Sequence, residues 1–159
     1  MSAEEQQQEA QHQPQELSQE AIEYARQFFD AARRGDVEFM RAPLEAGLPA
    51  NLTNSSGDTL IMLAAYHGHP EAVTLLLKHG ADPNRLNDRG QSPLSGAVYK
   101  NEGAVIEALL AGNASPFIGT PNAWVSAKMF GQKQWEARFE QTRNLDSPTA
   151  SSTDAAPSS

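Results

Sequence analysis

The stretch Gly57-Asp58-Thr59-Leu60-Ile61-Met62-Leu63-Ala64-Ala65-Tyr66-His67-Gly68-His69-Pro70-Glu71 belongs to a pattern that returns 33 residues further along the chain. Gly57 and Leu76, for example, recur as Gly90 and Leu109. Weaker copies of the pattern flank these two on both sides. Self-similarity at a fixed period predicts a repeat architecture, in which each copy is one supersecondary unit that packs against its neighbours.

Each copy carries the signals of two short helices joined by a turn. Thr59 and Ser92 are residue types that cap helix N-termini, and proline is tolerated at the first helical position. Spacings of three and four residues place Val73, Leu76 and Leu77 in an apolar stripe that we expect to bury against the next unit. The same signals continue outward, with caps at Ser18 and Asn122, prolines at Pro70 and Pro93, and left-handed helix ends at Gly47, Gly80 and Asn113.

A period of 33 residues with two helices and a turn per unit is the pattern of ankyrin repeats. Residues 57–84 closely resemble the pattern of that family, and the chain as a whole is similar to small stand-alone ankyrin-repeat proteins of fungi and bacteria. The resemblance implies an all-α ankyrin-repeat solenoid of about four helix–turn–helix units: two good internal repeats between two degenerate caps. We place these units at about residues 18–53, 54–86, 87–119 and 120–143.

The two outer units depart from the pattern. Pro43 stands at the position of Leu76 and removes a hydrogen bond to the carbonyl of Phe39, so we expect the second helix there to be shortened or kinked. The last unit matches only after a shift of 63 residues rather than 66, which predicts a hairpin about three residues shorter.

The net charge of −8 lies mostly at the N-terminus. Residues 1–23 hold six glutamates and no Lys or Arg, whereas residues 24–141 are close to neutral. We expect disorder in residues 1–17, an acidic Gln-rich arm, and in residues 144–159, a Ser/Thr-rich tail, because neither segment has enough apolar groups to offset the entropy of folding. A nearly neutral domain argues against nucleic-acid binding, which favours a basic surface.

No set of residues in the sequence points to catalysis. The chain has no cysteine and no glycine-rich phosphate-binding motif. His67 and His69 alternate without a third ligand, so we interpret them as structural turn residues. We therefore predict no enzyme activity, no metal, no cofactor and no small-molecule substrate. The sequence shows no secretory signal and no apolar run of membrane-spanning length. We therefore expect a cytoplasmic localisation, and nothing in the sequence restricts the chain from the nucleus.

The resemblance implies that a partner protein binds along the concave face, at exposed helix positions and hairpin tips. The helix positions are Arg33, Arg34, Tyr66, His67, Tyr99, Lys100, Met129 and Phe130. The hairpin-tip positions are Ser55, Ser56, Asp58, Asp88, Arg89 and Gln91. We therefore predict a protein–protein interaction module, monomeric by itself, whose partner the sequence does not identify.

Two other functions stay open at this point. The acidic arm could escort a basic client, such as a ribosomal protein, or the chain could be associated with RNA. The arm could also fold back over the groove as an autoinhibitor, which the basic residues there would favour.

Overall fold

The computed structural model describes residues 18–145, which form eight helices and one isolated β-bridge between Thr53 and Thr59. In chain order the helices are α1 Gln19–Arg34, α2 Val37–Glu45, α3 Leu60–Tyr66, α4 Pro70–Lys78, α5 Pro93–Tyr99, α6 Gly103–Ala111, α7 Ala123–Met129 and α8 Lys133–Leu145. They pair as four consecutive helix–turn–helix units, which confirms the predicted all-α stack. The segments predicted to be disordered lie outside the described residues, apart from positions 144 and 145, which belong to α8.

Polar side chains cap the first helix of each unit, as predicted. Thr59 accepts a hydrogen bond from the Met62 N–H at 3.2 Å. Ser92 and Ser95 cap α5 reciprocally, since each hydroxyl oxygen accepts a bond from the other's backbone N–H. Ser18 and Asn122 cap α1 and α7. These bonds satisfy N–H groups that have no partner within the helix, and so they define where each helix begins.

Left-handed residues end the second helices at the predicted positions. The φ angles are 101° at Gly47, 88° at Gly80 and 69° at Asn113. Glycine and asparagine adopt this conformation at lower cost than other residues, which lets the chain leave the helix and enter the hairpin.

The helices stack in two layers. The first helices α1, α3, α5 and α7 pack against one another in order, and the second helices α2, α4 and α6 form the layer behind them. Fully buried alanines occur at equivalent positions of the first helices, at Ala31, Ala64, Ala97 and Ala127. One continuous hydrophobic core runs through the units, from Phe28 to Phe139. Each unit therefore depends on its neighbours for burial of its apolar face.

The last hairpin is shorter than the others, as predicted. Residues 112–122 join α6 to α7, whereas the two preceding connections span 46–59 and 79–92. The Thr120 N–H donates to the Gly90 carbonyl at 2.9 Å, so the short loop closes against the hairpin before it. Gly119 has a φ of 92°, and a Cβ there would lie 2.9 Å from the same carbonyl oxygen. Glycine is thus required at this contact.

Asparagine side chains connect successive units. Asn51 accepts a hydrogen bond from the Asp82 N–H at 2.7 Å, and Asn84 accepts one from the Ser115 N–H at 2.7 Å. The two bonds are related by the repeat. They hold the start of each hairpin against the next one.

The expected shortening of the second helix at Pro43 is not found, and one residue of the apolar stripe is less buried than expected. Pro43 does not shorten α2, which has nine residues, as do α4 and α6. The proline lies in the last turn, where a single bond is lost and buried Leu44 still anchors the helix. In α4, Val73 and Leu76 are fully buried as expected, whereas Leu77 is only half-buried, although it packs against the core and against Gly112 of the next unit.

We predict that Leu76→Ala lowers the free energy of unfolding by about 2–5 kcal/mol, because it truncates a fully buried side chain and leaves a cavity. Chemical denaturation of the full chain measures the change. Thr74→Ala, at an exposed position of the same helix, should change stability by no more than about 0.5 kcal/mol. Equal midpoints for the two variants would contradict the assignment of Leu76 to the core.

We predict that Gly96→Ala raises the free energy of unfolding by about 0.5–1 kcal/mol. Gly96 lies inside α5, where alanine is the better helix former. The added Cβ would meet the Tyr66 ring at 3.6 Å, an ordinary contact distance. Gly57→Ala is the matched comparison and should destabilise, since Gly57 has a φ of 76° and a Cβ there would lie 2.9 Å from the Asp88 nitrogen. A destabilised Gly96→Ala variant would show that this site has no room for a methyl group.

Candidate functional site

Three aromatic side chains line up along the face formed by the first helices. The Tyr66 and Tyr99 rings are stacked, with centroids 6.5 Å apart and planes 7° from parallel. Phe130 follows, edge-on to Tyr99 at 5.8 Å. All three are exposed, as is Met129 beside Phe130. Tyr66 and Tyr99, which are one repeat period apart in the sequence, thus lie side by side on this face. We call Tyr66, Tyr99 and Phe130 the aromatic stripe.

The ends of the first helices position this stripe. Tyr66 and Tyr99 are the last residues of α3 and α5, and Phe130 directly follows α7. Shortly after each comes a left-handed residue, at Gly68, Asn101 or Gly131. The chain turns away there toward the second helix, so the side chains just before the turn face outward.

The aromatic stripe borders a groove of about 550 Å³ that runs between the first helices and the hairpins. Nine of the predicted site residues line it: Arg33, Asp58, Tyr66, His67, Arg89, Gln91, Tyr99, Met129 and Phe130. The other five lie outside this lining: Arg34, Ser55, Ser56, Asp88 and Lys100. Lys100 nevertheless borders the groove, because its Nζ lies 5.0 Å from the centroid of the Tyr66 ring.

The groove contains further residues that the sequence reasoning missed: Met62, Leu63, Asn87, Ser92, Ser95, Gly96, Pro121 and Ser126. The repeat offers a partial signal for them. Leu63, Gly96 and Ser126 occupy the same position in successive units, and side-chain size falls sharply after Leu63. Small side chains one helical turn before the exposed aromatic residue would have indicated open space at the bottom of the groove.

A network of side-chain amides forms the hairpin wall of the groove. The Asn87 Oδ1 accepts hydrogen bonds from the N–H groups of Arg89 and Gln91, each at 3.0 Å, and Asn54 makes equivalent bonds in the preceding hairpin. The Asn87 Nδ2 also donates to Asp58 at 2.9 Å, which joins the two tips. This wall is therefore held in place by hydrogen bonds within the chain itself.

The charged residues of the groove are unequally compensated. Arg33 pairs with Asp30 at 2.8 Å, and Arg34 lies 3.8 Å from Asp36. Within residues 18–145, by contrast, neither Arg89 nor Lys100 lies within ion-pair distance of a carboxylate. Their charges are therefore not neutralised by a neighbouring carboxylate in that part of the chain.

The two histidines of the central turn differ in role. Burial, and then the positive charges of His69, Arg33 and Lys100, lower the pKa of His67. The His69 Nε2 lies 2.8 Å from the Arg33 carbonyl oxygen, and its ring packs where a side chain at Gly35 would stand. His69 thus connects two units, which agrees with the structural interpretation.

Neither a metal site nor a membrane span is found in the described part of the chain. No three His, Asp or Glu side chains gather there closely enough to hold a metal ion. None of the eight helices combines the length and the apolar character needed to cross a membrane.

Known proteins resemble this chain over part of its length. Human ankyrin repeat domain-containing protein 63 is 39% identical over 74 residues, which cover 46% of this chain and 20% of that protein. An ankyrin repeat protein of Pseudomonas aeruginosa is 50% identical over 60 residues, which cover 38% of this chain and 35% of that protein. The chain therefore matches only about a fifth to a third of the length of these relatives.

A solved structure and a family model agree with the fold. The crystal structure of the human ASB11 ankyrin repeat domain superposes with a TM-score of 0.54 at 25% identity, over 56% of this chain and 40% of that one. The family model for ankyrin repeats, in three copies, matches residues 28–118. Because this match covers more than half of the sequence, the chain belongs to the ankyrin-repeat family.

Proposed function

We propose that this chain is a non-enzymatic binding module that holds a partner protein in its concave groove and against its hairpin tips. Ankyrin repeats generally mediate protein–protein interaction. The observation that carries the proposal is the exposed aromatic stripe of Tyr66, Tyr99 and Phe130. Solvent-exposed aromatic side chains are typical interface anchors, since they offer large contact areas with few rotatable bonds.

The distribution of exposed apolar side chains supports the groove as the binding surface. Among residues 18–145 the large apolar side chains that are exposed number seven, and four of them line the groove: Tyr66, Tyr99, Met129 and Phe130. Such a cluster marks an interaction site more strongly than scattered exposed residues do. Of the predicted tip residues, Asp58, Arg89 and Gln91 line the hairpin wall of the same groove.

We also propose that the chain is monomeric by itself and that it is located in the cytoplasm, or in both the cytoplasm and the nucleus. The lack of cysteine supports a reducing compartment, because small domains in oxidising ones commonly rely on disulfides. Fractionation of cells that express the tagged chain, and light scattering of the purified protein, test these two points.

We predict that Tyr66→Ala and Tyr99→Ala each weaken partner binding by more than about 1 kcal/mol, because both remove anchor area from the groove. The partner is first captured with the full chain, then purified and titrated by calorimetry. Ile22→Ala is the matched control, since Ile22 is 39% exposed, close to the 38% of Tyr66, but lies on α1 outside the groove lining. Full affinity in the Tyr66/Tyr99 double variant, with its fold intact, would contradict binding in the groove.

Escort of a basic client is a second candidate function. Its support is the charge of residues 1–23, where six glutamates occur without a Lys or Arg. Removal of residues 1–17 distinguishes the possibilities, provided that the circular dichroism melt is unchanged. We expect weaker binding if the arm contacts a basic client and tighter binding if the arm competes for the groove. Unchanged affinity would exclude both roles for the arm.

A further inference from the structure

On the basis of this proposed function, we propose that the groove binds an extended acidic segment of the partner, in which one bulky apolar side chain is flanked by Asp or Glu residues. The apolar side chain would contact the aromatic stripe. The carboxylates would reach the two uncompensated cations, Arg89 and Lys100.

The floor of the groove explains the apolar anchor. Ser95, Gly96 and Ser126 are small, so they leave space between the hairpin wall and the aromatic stripe. A volume of about 550 Å³ accommodates a Leu or Phe side chain together with adjoining backbone. The Ser95 hydroxyl is already used in the cap of α5, where it accepts a hydrogen bond from the Ser92 N–H and donates one to the Ser92 carbonyl.

The charges explain the acidic flanks. Arg89 belongs to the hairpin wall, and the Lys100 Nζ lies over the Tyr66 ring of the aromatic stripe, so each wall of the groove carries one of the two cations. The only carboxylate among the residues that line the groove, Asp58, already accepts hydrogen bonds from the amides of Asn54 and Asn87. The groove therefore presents positive charge on both sides of its floor, although the chain as a whole is acidic.

The location of the two cations on different walls of the groove favours an extended segment. In an extended chain, residues three positions apart are separated by about 10 Å. An acidic residue on one side of the anchor can thus approach Arg89 while one on the other side approaches Lys100.

The experiment selects short random peptides, displayed on phage, against the full chain. Enriched peptides are synthesised with a fluorescent label and titrated by anisotropy. We expect an aromatic or aliphatic residue flanked by Asp or Glu, and at least tenfold weaker binding when the acidic residues are replaced by Ser. Binding should also weaken as the salt concentration rises, because the charges are partly exposed. Enrichment of neutral or basic peptides would overturn the inference, as would the absence of any enriched peptide.

Charge reversal in the protein tests the same contacts from the other side. We expect Arg89→Glu and Lys100→Glu each to weaken the selected peptides about fivefold or more, mainly through slower association. Lys133→Glu makes the same change in net charge at an exposed position of α8, and should alter binding less than twofold. Lys100→Gln, which keeps the length of the side chain, should give an intermediate loss. Equal effects of the three reversals would overturn the proposed contacts.

The tyrosine variants separate failure of this inference from failure of the proposed function. If uncharged peptides are selected and lose affinity in Tyr66→Ala and Tyr99→Ala, the groove binds proteins but the acidic preference is wrong. If no selected peptide depends on the tyrosines, both proposals fail. Circular dichroism melts of each variant confirm that a loss of binding does not come from a loss of fold.

Discussion

The close packing of the first helices at buried alanines is the contact on which the rest of the structure depends. Ala31, Ala64, Ala97 and Ala127 are fully buried at equivalent positions, and their small side chains let the helix backbones approach one another. A single helix pair cannot bury its own apolar face, so each unit is stable only beside a neighbour. The same close approach brings the Tyr66 and Tyr99 rings to 6.5 Å. The close packing of the first helices thus produces both the buried core and the candidate site.

The groove has walls of two different kinds. Helix ends form one wall, where a left-handed residue shortly after α3, α5 and α7 turns the chain and leaves an aromatic side chain exposed. Hairpins form the other wall, where Asn54 and Asn87 bond the backbone of their own tips and Asn87 also reaches Asp58. Both walls are held by backbone geometry or by satisfied hydrogen bonds. Such preorganisation lowers the entropic cost of binding an extended partner.

For binding in the groove, the local distribution of charge matters more than the net charge of the chain. A net charge of −8 suggests a surface that repels acidic partners, but six of the acidic residues lie in residues 1–23. Within the groove the balance has the opposite sign, because Arg89 and Lys100 lack carboxylate partners in the described residues while Asp58 is engaged by amides. Electrostatic steering acts over about 10 Å at moderate salt, so a partner near the groove responds to these local charges.

The sequence by itself determined the repeat period, the helix caps, the left-handed helix ends and the exposed tyrosine pair. Each of these depends on the conformation of a few adjacent residues, or on one residue repeated at the period. Only the tertiary structure decided that Asn87 and Gly96 line the groove, that Arg33 is neutralised by Asp30, and that Leu77 stays half-buried. The physical reason is that exposure and ion pairing depend on which side chains occupy the space between units, and those distances follow from packing rather than from sequence position.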